Sequence, residues 1–199
     1  MATPPITVHV ARVDNADLEN QLSDSEIANR VQQAVSFWQT TSNIILKWNG
    51  ILPIARVPGC DPAQPLCDLG NKYDITEVAA NNTTLGELDR RFKKPKGIQL
   101  IFSFSVAGST SQGITVSVND SLGNIIDHNV SAIGKDAQGL VTAHEIGHVF
   151  QLQHTSSRYN IMCGLIGIIC PTTPANGITD DQIRDARRFA GTLPDSVKQ

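Results

Sequence analysis

Long apolar runs are missing from this chain: no stretch approaches the roughly 18 consecutive apolar residues of a bilayer-spanning helix, so no membrane partner is expected. An excess of charge of one sign is missing too. The 16 Lys and Arg residues nearly balance 19 Asp and Glu, for a net charge of −3. The only basic cluster, Arg90-Arg91-Phe92-Lys93-Lys94-Pro95-Lys96, reads as a solvated loop or helix end, and nucleic acid is not an expected partner. No internal repeat stands out, which leaves one domain of ordinary size spanning residues 1–199. A dense acidic loop of the EF-hand type is lacking, so calcium is an option that no motif indicates. Nor do Met1-Ala2-Thr3-Pro4-Pro5 carry the charged and apolar regions of a signal peptide.

Cysteine is sparse but regular. The four cysteines fall as Cys60 with Cys67 and Cys163 with Cys170, two pairs of equal separation. Local pairs fit disulfides, although four cysteines allow three connectivities and four reduced core thiols are the alternative. A local bridge would contribute on the order of 2.5 kcal/mol by restricting the unfolded chain. Together with sequons at Asn81, Asn82, Asn119 and Asn129, this points to a secreted protein whose signal and any propeptide are not part of this chain.

The chemistry is concentrated in one place. Within His144-Glu145-Ile146-Gly147-His148-Val149-Phe150-Gln151-Leu152-Gln153-His154, three of the five histidines and a glutamate occupy eleven residues. Side chains four apart share a helix face, so His144 and His148 can aim at one metal ion, with Glu145 beside it as general base. An unbroken helix would turn His154 by roughly 240° away from His148. His154 can therefore join only if the chain bends near Gln151.

The spacing HExxHxxxxxH, followed by Met162, resembles the metzincin zinc metallopeptidases, and the distance from His154 to Met162 is that of the matrix metallopeptidases. The departure is Gln151, which stands where the family has glycine. The resemblance implies His144, His148 and His154 as ligands of one catalytic Zn2+, Glu145 as the proton shuttle and Asn160-Ile161-Met162 as a Met-turn under the metal. Simple core packing of Met162 is physically close to the same thing. Tyr159 is a candidate oxyanion donor by position alone. Cys163 to Cys170 encloses an apolar segment that is either a pocket wall or a plain core loop.

Along the rest of the chain, Ile6, Val8 and Val10 alternate as a strand, with His9 on its other face. Ser23 and Glu26 form a capping box for a helix from about Asp24 to Thr40, and Asn43 to Trp48 follows as a strand closed by an Asn49-Gly50 turn. A loop from Pro53 to Pro65, a short helix over Thr84 to Phe92 and a central strand from Gly97 to Val106 come next. Gly113 to Val118 and Asn124 to Val130 read as two more strands; the first lies where metzincins keep the edge strand that pairs with substrate, and His128 reads as an exposed residue of the second. Asp136 is positioned to cap the metal-site helix. Thr179 and Gln182 cap a last helix, with Gly191 after its end.

The expected fold is α+β with an α/β-like start. A twisted, mostly parallel sheet with an antiparallel edge strand carries a backing helix and the active-site helix over about residues 1–154. A small lower subdomain over about 155–199 holds the Met-turn and the terminal helix. The expected activity is a monomeric zinc endopeptidase acting on extended protein or peptide substrates. Two rivals stand beside it: a zinc-stabilised secreted binding domain without catalysis, and a zinc amidase for a small or cell-wall peptide.

Overall fold

A computed structural model describes residues 4–13, 22–54, 97–103, 113–119, 125–137, 140–164 and 177–192. Five strands form one sheet: β1 (Ile6–Val13), β2 (Leu46–Ile54), β3 (Ile98–Ser103), β4 (Gly113–Asn119) and β5 (Ile125–Gly134), in the order β2-β1-β3-β5-β4. The first four in that order are mutually parallel, and β4 is antiparallel to β5 at the edge. This is the mostly parallel sheet with an antiparallel edge strand that the sequence leads one to expect.

The first helix, α1 (Asp24–Ser42), forms the β1-α1-β2 crossover. Its capping box is realised: the Ser23 side chain accepts from the Glu26 N–H while Glu26 Oε2 accepts from the Ser23 N–H at 2.9 Å. Ile27, Val31, Ala34, Val35 and Trp38 recur at helical spacing and are all buried. Trp38 is fully buried, and its indole N–H donates to the Ala143 carbonyl at 3.1 Å. Burying an aromatic of this size removes about 200 Å² from water, worth roughly 5 kcal/mol. That contact joins α1 to α2 (Val141–Val149), and Trp38 also meets Phe150 edge-on at 5.0 Å. A third helix, α3 (Asp180–Thr192), closes the described chain, and Arg187 ties it to the Ser42 carbonyl at 2.6 Å.

Four local expectations need correction. Asn49-Gly50 does not end β2 but bulges inside it: Val8 faces Trp48 while Val10 faces Ile51, and Gly50 takes φ +100°. One extra residue on β2 absorbs the turn chemistry without stopping the strand. β5 runs on past Val130 to Gly134, where its parallel partner β3 outweighs the polar Ser131. Asp136 lies in the turn after β5, so Leu140 is the N-cap of α2 and makes no side-chain cap bond. Gly191 lies within the last turn of α3 rather than beyond it. The helix over 84–92, the loop with Cys60 and Cys67, the basic cluster, Cys170, Asn81 and Asn82 lie outside the described residues, as do the side chains of Asn119, His128 and Asn129.

Candidate metal centre

α2 places His144 and His148 one turn apart, and the chain then has to reverse. Phe150 is the C-cap, and Gln151 takes φ +63°, the left-handed conformation that the missing glycine would favour. The Gln151 N–H donates to His148 O at 2.9 Å and the Leu152 N–H to Gly147 O at 3.0 Å. These two bonds make a Schellman motif with glutamine at the left-handed position. The reversal brings His154 back to the other two histidines.

The three Nε2 atoms form a triangle with edges of 3.1 Å (His144 to His148), 3.0 Å (His148 to His154) and 3.2 Å (His144 to His154). Their hydrogen bonds fix what those nitrogens can be. His144 Nδ1 lies 2.6 Å from the Ile161 carbonyl oxygen and His148 Nδ1 lies 2.9 Å from that of Leu152. A carbonyl only accepts, so each Nδ1 carries the proton and each neutral ring presents a bare lone pair at Nε2. Lone pairs converging at such distances repel unless a cation lies among them. Tetrahedral zinc with bonds of about 2.0–2.1 Å sets its nitrogen ligands roughly 3.3–3.4 Å apart, close to the observed triangle. The donor set therefore fits a zinc ion.

Burial favours the same protonation state. It lowers the affinity of His144 for a second proton, and it pushes His148 down to about 4, helped by neighbouring His144 and opposed by the Leu152 carbonyl. His154 is the exposed member, so the centre opens to solvent on its side. Among the described residues His144, His148 and His154 are the side chains grouped so that they could hold a metal ion.

Glu145 points away from solvent, at 4% exposure, and burial pushes its carboxyl up to about 7 against the Thr115 hydroxyl, whose hydrogen bond lowers it. Thr115 Oγ1 lies 2.7 Å from Glu145 Oε2. Met162 is fully buried beneath α2, and its sulfur occupies the space a side chain at Gly147 would fill. The segment is anchored from both ends. Thr155 N–H donates to Met162 O at 2.9 Å, and Asn160 Oδ1 accepts from the Met162 N–H at 2.8 Å while Asn160 Nδ2 donates to Gln182 Oε1 at 2.6 Å. Thus the terminal helix steadies the loop whose Ile161 carbonyl orients His144.

Sequence reasoning singled out the three histidines, Glu145 and Met162, and the structure brings them together. Tyr159 is 65% exposed. Cys163 is buried. Missed were Gly113, Thr115 and Ser131 around the Glu145 carboxylate, Gly164 against the His154 ring, and Asn160 as a structural anchor. Gly113, Thr115 and Ser131 carry no motif, because they act through contacts with residues distant in sequence, and for Asn160 the distant contact is the one with Gln182.

No family model and no curated protein sequence matches the chain. Solved structures do share its fold. One is metalloproteinase-II from Bacteroides fragilis, with a TM-score of 0.55 and 12% identity over 94% of this chain and 53% of that one. Another is archaemetzincin from Methanopyrus kandleri, with a TM-score of 0.55 and 11% identity over 92% of this chain and 94% of that one. The chain spans about half the length of the Bacteroides fragilis protein. At these identities the likeness is one of fold.

Proposed function

We propose that the chain is a zinc-dependent metallopeptidase of metzincin type that cleaves extended peptides internally. The observation that carries the reading is the triangle of Nε2 atoms of His144, His148 and His154, with the first two fixed as acceptors by main-chain carbonyls at their Nδ1 atoms. The fold shared with metalloproteinase-II and with an archaemetzincin supports it.

His144, His148 and His154 would hold the metal through Nε2. When bound, zinc supplies Lewis acidity toward a water molecule and toward the carbonyl of the scissile bond. Glu145, directly after the first ligand and buried with a carboxyl near neutrality, accepts the proton of the attacking water and returns it to the leaving amine. A dication nearby would act against that burial, pulling the carboxyl back down and favouring its ionised, accepting form. β4 is one of the two edge strands among the described residues, and its outer side is suited to main-chain pairing with an extended substrate. Met162 forms the floor beneath α2.

The same proposal treats the chain as a single catalytic domain, with the centre between an upper part to about residue 154 and a lower part beyond it. A secreted enzyme with Cys163–Cys170 and Cys60–Cys67 bridges is its natural setting.

The test is digestion of a denatured protein and a peptide library, with metal content measured, by the wild-type chain, a chelated sample and Glu145→Ala. The reading expects about one zinc per chain and internal cleavage that both controls lose. Full turnover by Glu145→Ala would sink the mechanism. Trimming from one end only would overturn the endopeptidase assignment, and zinc binding without any cleavage would transfer the chain to a binding role.

A further inference from the structure

We propose that Thr115, on the edge strand, is the positioning residue of Glu145, and that Gly113 keeps open the space this carboxylate needs. This rests on the metallopeptidase reading and adds to it a role for β4 in setting the general base.

Thr115 Oγ1 has three oxygens within reach: Glu145 Oε2 at 2.7 Å, the Glu145 main-chain oxygen at 2.9 Å and Ser131 Oγ at 2.8 Å. A hydroxyl has one proton to give. The Ser131 hydroxyl can donate to Thr115, which leaves the Thr115 proton for Glu145, where the carboxylate oxygen is both nearer than the main-chain oxygen and, when ionised, the stronger acceptor. Ser131 is fully buried on β5 and stands directly opposite Thr115 in the antiparallel register, so both hydroxyls project to the same face of the sheet, toward α2. The chain of donation runs from Ser131 to Thr115 to the carboxylate.

Gly113 is two residues earlier on the same face of β4. A Cβ there would stand 2.6 Å from Glu145 Oε1 and 2.8 Å from its Cγ. Its φ is not positive, so the backbone does not require glycine at this position. What requires it is the carboxylate. One oxygen is thus gripped by Thr115 while the other lies against a gap in the strand, and Glu145 is fixed by an element some thirty residues before it in sequence. Because a general base must be held within about 0.5 Å of its working position, a mobile carboxylate forfeits much of its catalytic contribution.

The experiment compares zinc-loaded wild type, Thr115→Val and Thr115→Ser by crystal structure, zinc dissociation constant, and kcat and KM on a peptide the wild type cleaves. Valine keeps the shape and removes the donor, while serine keeps the donor. In Thr115→Val the carboxylate is expected to leave its place by more than about 1 Å. Zinc affinity should stay within about threefold, short of the 10–100-fold loss that follows removal of a ligand's own partner. The expected fall in kcat is about ten- to a hundredfold with KM little changed, part of what a general base supplies. Thr115→Ser should restore both position and kcat.

An unmoved carboxylate in Thr115→Val, an unchanged kcat, or a serine variant as impaired as valine would overturn the proposal. If the wild type holds zinc and cleaves nothing, the functional reading fails, and the carboxylate position in the two variants still decides the role of Thr115. Should Thr115→Val not fold, Gly113→Ala keeps the hydroxyl but intrudes on Oε1. It must show the same displacement without loss of zinc, and a carboxylate left in place there would equally refute the idea.

Discussion

Replacing Gln151 by glycine should make the protein more stable, although it removes a side chain. Gln151 sits at φ +63° in the turn that brings His154 to the other ligands. An L-residue in that conformation costs about 1–2 kcal/mol relative to the right-handed one. Glycine removes the strain but enlarges the conformational freedom of the unfolded chain, which takes back about 0.4–1 kcal/mol. The half-buried Gln151 side chain contributes no hydrogen bond among those described, so little else offsets the gain. The expected net is a stabilisation of about 0.5–1 kcal/mol, or roughly 1–4 °C in Tm for a chain of this size. Urea unfolding of the chelated protein measures it most cleanly, with the slope unchanged and only the midpoint raised. Zinc affinity should not move, since glycine preserves the path of the turn. A Gln151→Gly protein less stable than wild type by more than about 0.5 kcal/mol would refute the strain argument and assign the glutamine side chain a hold on the turn.

Gly164→Ala should weaken zinc binding, because its Cβ would meet the His154 ring at 2.5 Å from Cδ2 and 2.6 Å from Nε2. Titration against a chelating indicator should show a loss of about tenfold or more, and wild-type affinity would show that the 164 backbone yields instead. Glu145→Gln should stabilise the chelated protein in alkaline but not acidic solution. The folded carboxyl is raised from 4.5 to about 7, so the stability it contributes is full below about pH 4.5 and lost as pH rises through 7. Glutamine does not titrate, so melts at pH 8 should favour the variant by about 3 kcal/mol and melts at pH 4.5 by almost nothing. A difference independent of pH would mean that the buried carboxyl is not what titrates.

The histidine cluster was legible because its geometry is local. His144 and His148 follow from helical spacing, and the need to bend at Gln151 follows from the position of His154. Both capping boxes were legible for the same reason: Thr179 N and Oγ1 lie 3.1 and 3.3 Å from Gln182 Oε1, as Ser23 and Glu26 engage each other on α1. Asn49-Gly50 misled because the same positive φ serves a tight turn and a bulge, and pairing with β1 on one side decides between them. The surroundings of Glu145 were beyond reach, since nothing near Gly113 or Thr115 in sequence indicates a carboxylate from α2 packed against them. Asp136 has the right chemistry for a cap, but α2 starts only at Val141 and leaves it in a turn.

That His144, His148 and His154 are so near one another in sequence also matters before the protein folds. An unfolded chain keeps three imidazoles within a short loop, whose closure costs little entropy. Metal can therefore associate with the denatured ensemble as well as with the native centre. Each increment of affinity for the unfolded chain subtracts from the stabilisation that a thousandfold excess over Kd would otherwise give, about 4 kcal/mol. A native advantage for metal would come from the carbonyls of Leu152 and Ile161, which orient two of the rings only once the turn and the following loop have formed. On the metallopeptidase reading, zinc would thus be held loosely by the unfolded chain and tightly by the native one, and its thermal benefit would be smaller than its native affinity alone would suggest.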